Sequence, residues 1–268
     1  MKVILYMIIL SLSFLAIACQ KVIDVNIPAS DTKVVVEALI TNESKPYQVK
    51  LSRSQSFTSD QPFPIIDNAL VIISDDAGNT DTLHSTGNGL YTSSTAKAGV
   101  VGRTYNLLAV IDGKNYTAYD KLPGIRPITN MNYKYFKTDG THSKDGYYVF
   151  FSTSVDPTIK NYSLFKITKN HNPLNPNRLT VTDYKFLGPV LTNIQLQSVY
   201  DVGDLVKLDI YSLSENAYTY YSGLGAQLQS DGGFFTTPPA NAVNNISNGA
   251  LGYFQTSSVA RDSITIAQ

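Results

Sequence analysis

From Lys33 onward, short runs in which apolar side chains recur at every second position alternate with clusters of Asp, Asn, Gly, Pro and Ser. That period predicts strands with one buried face, separated by turns. Residues 33–40 form a β-branched run. Tyr47, Val49 and Leu51 then share one face while Gln48, Lys50 and Ser52 share the other. Further strands are predicted at 69–74, 80–84 and 89–91, with the 75–79 cluster as a turn. Residues 53–68 hold two prolines and several Ser and Asp, and read as an exposed loop. The clearest hairpin is 104–111 and 114–119 around Asp112-Gly113, because Asp-Gly supplies the positive φ angles of a type I′ turn. This succession over residues 33–121 predicts an immunoglobulin- or transthyretin-like β-sandwich.

Residues 122–127 (LPGIRP) stop both helix and ladder and are the predicted linker. Beyond them the chain becomes more aromatic, with 12 of the 18 Tyr and 8 of the 11 Phe after position 130. Strands are predicted at 131–136, 147–154, 161–168, 181–186, 195–200 and 205–211, with a polar loop at 171–177. One helix interrupts them. Ser212 and Glu215 have the spacing of a capping box, and Leu213, Ala217, Tyr220 or Tyr221, Leu224 and Leu228 follow at helical spacing, predicting a helix over about 213–229. Strands at 250–256 and 258–266 are expected to close the second sheet. The predicted organisation is therefore a β-sandwich at 33–121 and a second aromatic-rich antiparallel β domain with one inserted helix at 128–268.

The first 32 residues follow another pattern. Lys2 precedes an almost unbroken apolar run, 3–15, which ends in Leu15-Ala16-Ile17-Ala18-Cys19. The run is short for a membrane span, which needs about 20 residues. A positive residue, a short apolar helix and small residues before a cysteine make a lipoprotein signal at 1–18, with Cys19 the lipidation site and 19–32 a tether. An ordinary cleaved signal and an N-terminal anchor helix are the alternatives, and the lipoprotein reading is preferred because Cys19 is the single cysteine of the chain. Acyl chains on Cys19 would hold the protein to a membrane. Gln20, where Asp would signal retention at the inner membrane, favours a lipid-anchored place on the outer membrane, at its periplasmic or surface-exposed face.

Composition removes several function classes. Lys plus Arg and Asp plus Glu both number 21, so no electrostatic footprint for nucleic acid exists. With Cys19 committed to lipid, neither a disulfide nor a catalytic thiol remains. Glu occurs only at 37, 43 and 215, leaving little material for paired catalytic glutamates. No Gly-x-Ser-x-Gly and no His-Glu-x-x-His is present. Asp75, Asp76, Asn79 and Asp81 lack the spacing of a calcium loop and read as a hairpin turn. His84, His142 and His171 lie far apart in sequence, so neither a metal nor another cofactor is expected.

Several stretches together resemble outer-membrane lipoproteins of Bacteroidota grouped under domain of unknown function 4249. They are Cys19-Gln20-Lys21-Val22-Ile23-Asp24 with Lys33-Val34-Val35-Val36-Glu37, and the run from Tyr47-Gln48-Val49-Lys50 to Ile73-Ser74-Asp75-Asp76-Ala77-Gly78-Asn79. Gly99-Val100-Val101-Gly102-Arg103-Thr104-Tyr105, Asp112-Gly113-Lys114, Thr236-Thr237-Pro238-Pro239 and Asn245-Ile246-Ser247-Asn248-Gly249-Ala250 continue the likeness over nearly the whole chain. The resemblance implies an accessory lipoprotein beside a TonB-dependent receptor and carries over no catalytic residue.

The candidate binding surface is aromatic: Tyr218, Tyr220 and Tyr221 on the helix, with Phe234 and Phe235 just after it. The alternative for these rings is sheet core and cross-strand pairing. Residues 231–248, rich in Gly, Pro and Asn, are the preferred interaction loop. The expectation is a non-enzymatic, lipid-anchored accessory or binding protein acting with a TonB-dependent receptor in uptake or export. A stand-alone surface glycan-binding module or adhesin is the alternative, and a hydrolase with an Asp-based site a third.

Overall fold

The seven strands expected before residue 121 all form: β1 (Val34–Thr41), β2 (Lys45–Arg53), β3 (Leu70–Asp75), β4 (Thr80–Gly87), β5 (Leu90–Lys97), β6 (Thr104–Ile111) and β7 (Lys114–Lys121). The computed structural model describes residues 31–56, 59–154, 162–176, 178–186, 190–230 and 239–268. Within it, Thr32–Gln268 belong to one compact unit. Alternation does what it predicts: Tyr47, Val49 and Leu51 of β2 are buried while Gln48 and Lys50 are exposed. Asp112 and Gly113 have φ angles of 50° and 75°, as the tight β6–β7 turn requires.

The second half supplies β8 (Ile128–Phe136), β9 (Gly146–Ser154), β10 (Tyr162–Lys169), β11 (Asn172–Pro173), β12 (Thr180–Asp183), β13 (Val190–Gln195), β14 (Leu205–Leu213), the helix α1 (Glu215–Leu228), β15 (Leu251–Ser257) and β16 (Val259–Thr265). Two expected strands are displaced. The run at 181–186 stops at Asp183, whose side chain accepts from Lys185 N at 2.9 Å and turns Tyr184–Phe186 into a short 3-10 turn. The strand expected at 195–200 lies instead at β13, because a tight turn from Ser198 N to Leu196 O takes the chain out of the ladder.

β15 does not close the second sheet, as its place in the chain predicts, but joins the first. It pairs in parallel with β1, giving an eight-stranded sheet in the order β15-β1-β2-β5-β4-β3-β6-β7. Alternation marks a strand but does not name its partner, and a parallel pair between residues so far apart in the chain leaves no local signal. The sheet curls until its two edge strands approach each other. Thr117 N on β7 donates to Ser247 Oγ at 2.7 Å, and Thr256 N on β15 donates to Asp120 Oδ2 at 2.8 Å. Curling covers both edges, which would otherwise offer unpaired backbone groups. Inside lies the first core, which includes Val36, Leu51, Tyr91, Leu107 and Phe254.

In the second half, β13-β9-β8 forms one sheet and β11-β10-β14-β16 another, with β12 also on β10. Val149 and Phe151 of β9 and Val206, Leu208 and Ile210 of β14 share the core between them. A third cluster, which includes Leu164, Leu213, Ala217 and Tyr253, packs α1 against strands of both halves.

β15 and β16 are almost one strand, bent at Ser258. The bend is buried and held by serines. The Ser212 and Ser258 hydroxyls both donate to Pro123 O, at 3.0 and 2.7 Å, and Ser257 Oγ donates to Ser212 O at 2.6 Å. The linker segment 122–127 is thus fastened at its start, with Leu122 fully buried.

Ser214, and not Ser212 as the capping-box spacing suggests, is the N-cap of α1. Its hydroxyl accepts from Ala217 N at 3.2 Å. Ser212 is taken up by β14 and the bend. Ser214→Ala is expected to lower stability by about 1 kcal/mol, read as a shift in the urea unfolding midpoint. An unchanged midpoint would mean that the cap adds nothing to the helix.

Candidate functional site

Tyr218, Tyr220 and Tyr221 come together on the α1 face turned toward the sheets. Tyr218 stacks on Tyr162 with ring centroids 4.5 Å apart, and Tyr220 stacks on Tyr253 at 4.7 Å. The Tyr221 hydroxyl donates to Gln255 Oε1 at 2.5 Å. Burial, reinforced by the neighbouring Tyr220, raises the Tyr221 pKa far above its ordinary value. All three are half-buried, and much of their ring surface is occupied by the protein itself. Phe234 and Phe235 lie outside the described residues, as do Cys19, residues 1–18 and most of the tether.

The stretch 231–248 is described only from residue 239. There it is tied down: Asn245 Nδ2 donates to Tyr119 O and Phe254 O, and Asn248 Nδ2 donates to Asn115 O at 2.6 Å. This part of the expected interaction loop serves as a strap between the two sheet edges.

Among the described residues, a concavity lies elsewhere, beside the β3–β4 turn. It is an open cleft of about 300 Å³ whose lining includes Tyr47, Ile73, Asp75, Asp81, Lys97 and Arg103. That volume is at the lower end of the range for small-molecule sites, roughly 300 to 1,000 Å³. Each polar group has a traceable origin. Asp75 ends β3 and faces inward. Its Oδ1 accepts from Ala77 N, Asn79 N and Asn79 Nδ2 at 3.0 to 3.1 Å, while Oδ2 accepts from Arg103 Nη1 at 2.8 Å. Burial pushes the Asp75 carboxyl up, but the bonds from Asn79, Ala77 and the Arg103 guanidinium together outweigh it and hold its pKa below the ordinary value. On the other wall, Lys97 Nζ donates to both Asp81 oxygens, at 2.7 and 2.8 Å. Tyr47 and Tyr105 meet edge to face at 6.3 Å, and burial raises the Tyr47 pKa well above the usual tyrosine range.

The sequence reading of 75–79 as a turn agrees with Asp75 spending its oxygens on that turn. It gave no chemical role to Lys97 or to Arg103, although Arg103 lies in the 99–105 stretch that carries the family resemblance. A signal existed only in part: Asp75 and Asp81 flank one hairpin, but Arg103 reaches Asp75 through the nonlocal β3–β6 pairing, Asp75 opposite Tyr105.

Among the described residues, no three His, Cys, Asp or Glu side chains converge as a metal site. His142 is buried, stacked on Phe136 at 3.9 Å and bonded through Nδ1 to Asp139 at 3.0 Å, whereas His84 and His171 are exposed. A second cavity of about 20 Å³, with Arg126, Tyr162, Tyr184 and Ser212 in its lining, has room for about one water. Among the described residues, no helix is long and apolar enough to cross a membrane.

These features define a mainly β protein: a curled eight-stranded sheet continued by further antiparallel sheets and, among the described residues, one α-helix. The chain belongs to the family described as Domain of unknown function (DUF4249), whose model matches residues 20–263. Among solved structures, a two-domain fibronectin type III segment of chicken tenascin is similar at 10% identity and a TM-score of 0.22, covering 68% of this chain and 91% of that one. No curated protein matches the chain.

Proposed function

We propose that this protein is a non-enzymatic accessory lipoprotein, hung from the outer membrane by acyl chains on Cys19 and engaging a TonB-dependent receptor or its cargo. The observation that carries this reading is the placement of the chain's single cysteine, Cys19, directly after a charged, apolar and small-residue signal. Membership of the DUF4249 family over residues 20–263 is compatible with it. So is the commitment of the cleft carboxylates: Asp75 is saturated by turn and guanidinium donors, and Asp81 is paired with Lys97, which suits holding a ligand better than proton transfer.

The test has two readouts on the full chain expressed in its native envelope. Wild-type protein is expected in the outer-membrane fraction and labelled by an alkyne fatty acid, while Cys19→Ala loses both label and membrane association. A Cys19→Ala protein that stays in the membrane would overturn the anchor. A mild-detergent pull-down of the wild type is expected to recover a β-barrel receptor in stoichiometric amount. Recovery of the lipoprotein alone would remove the receptor from the proposal and leave the glycan-binding alternative to be tested on a glycan array.

A further inference from the structure

We infer that the cleft beside the β3–β4 turn is a binding site for a small zwitterion bearing an ammonium and a carboxylate, as a free α-amino acid does. The inference goes beyond the anchoring proposal and stands whether or not Cys19 carries lipid.

Charge balance makes the first selection. The cleft holds two carboxylates, Asp75 and Asp81, and two cations, Lys97 and Arg103. A ligand of net charge would leave one lining group uncompensated in a partly desolvated site. A zwitterion adds one charge of each sign and lets every ion pair be replaced by another.

The two pairs differ in how firmly they are held. The Asp75 side chain is only 5% exposed and takes donors from Ala77, from Asn79 and from Arg103, so it is held from several sides. It pins Arg103 by Nη1 alone. The structure gives the remaining guanidinium N–H groups no acceptor among the described residues, leaving a preoriented fork for a carboxylate. The Lys97–Asp81 pair is looser, with Lys97 44% exposed. Exposed pairs of this kind contribute little and open readily. An incoming ammonium can take Asp81 while Lys97 turns with Arg103 toward the ligand carboxylate.

A neutral sugar fits less well. Sugars stack on open aromatic faces, but Tyr47 and Tyr105 are 6% and 2% exposed and packed edge to face against each other. They close the cleft floor and present no platform.

Isothermal titration of the full-length protein in mild detergent tests the site. The probes are the common free α-amino acids, each up to roughly 10 mM, followed by the N-acetyl acid and the α-amide of the tightest binder. At least one amino acid is expected to bind, and either cap is expected to weaken it by about tenfold or more, because each removes one charge. Asp81→Asn and Arg103→Gln are expected to weaken it similarly. Since Arg103→Gln also loosens Asp75, Asp81→Asn at the exposed pair is the deciding variant, with Lys207→Gln, outside the cleft lining, as the control that retains affinity. Binding by none of the amino acids, equal binding of the capped probes, or full affinity in Asp81→Asn would each overturn the site. A Cys19→Ala protein that binds the amino acid normally would separate this inference from the anchoring proposal.

Discussion

Gly252→Ala is expected to cost about 3 to 5 kcal/mol of folding stability, because an added methyl meets backbone more closely there than at any other described glycine. Gly252 sits in β15 at a φ of 96°, where an L side chain is strained. A Cβ built there would lie 2.0 Å from Val36 O and 2.8 Å from Val36 C, both backbone atoms of β1. Backbone in the middle of a sheet cannot step aside as a flexible side chain can, so the parallel β1–β15 pair must part. That pair carries the eight-stranded sheet into the bend at Ser258, and the damage would reach both halves. Gly113→Ala is the matched control. Its φ of 75° imposes similar strain, but nothing lies within 4 Å of the added Cβ, so a cost of only about 1 kcal/mol is expected. Urea unfolding followed by circular dichroism measures both. Equal losses in the two variants would show that Val36 does not approach Gly252 closely.

The second large effect is expected at Asp120, where Ala should cost about 2 to 4 kcal/mol. Asp120 occupies an inward position of β7, 3% exposed, in line with Tyr116 and Ala118. A charge facing the core breaks the alternation of its strand for a reason. Its Oδ2 accepts from Thr256 N at 2.8 Å and from the Thr256 hydroxyl at 3.3 Å, and its Oδ1 accepts from Lys121 N at 3.1 Å. Thr256 is fully buried, so Asp120→Ala strands a donor where water does not reach.

Burial is the largest influence on this carboxyl and raises its pKa above 3.8 in spite of those bonds. The folded protein therefore holds the Asp120 proton more tightly than the unfolded chain does. The resulting stability is fully present below pH 3.8 and is lost as pH rises through the raised pKa. Asp75 and Asp204 act in the opposite sense, since their pKa values are lowered and their contributions fade as pH falls below the ordinary carboxylate range. Subtracting the stability curve of Asp120→Asn, which keeps an acceptor oxygen but does not ionise, isolates the first effect. A difference curve that falls with rising pH above 3.8 is expected; a flat one would mean that the carboxyl titrates as if in water.

Much of the fold was legible because its signals are local. Tyr47, Val49 and Leu51 announced β2, Asp112-Gly113 announced the β6–β7 hairpin, and the spacing from Leu213 to Leu228 announced α1, although the capping serine proved to be Ser214. Each depends on residues within one or two turns or one strand length of each other. The cleft was not legible. Its four charged groups come from the end of β3, the start of β4, the end of β5 and the approach to β6, and only sheet pairing brings Arg103 to Asp75. The aromatic residues of α1 were visible as a group, but not that Tyr162 and Tyr253 would cover them.

By itself the sequence determined the β-rich class, seven strands and the hairpin turns of the first sheet, and the helix α1, since backbone propensity and the direction of a side chain are set by near neighbours. Only the tertiary structure decided that β15 pairs with β1, that Asp120 bridges the two edges of the curled sheet, and that two ion pairs share one cleft. Those pairings are chosen by burial and hydrogen-bond satisfaction over more than a hundred residues of chain, as between Asp120 and Thr256 at a separation of 136 positions, and no local pattern encodes a partner at that distance.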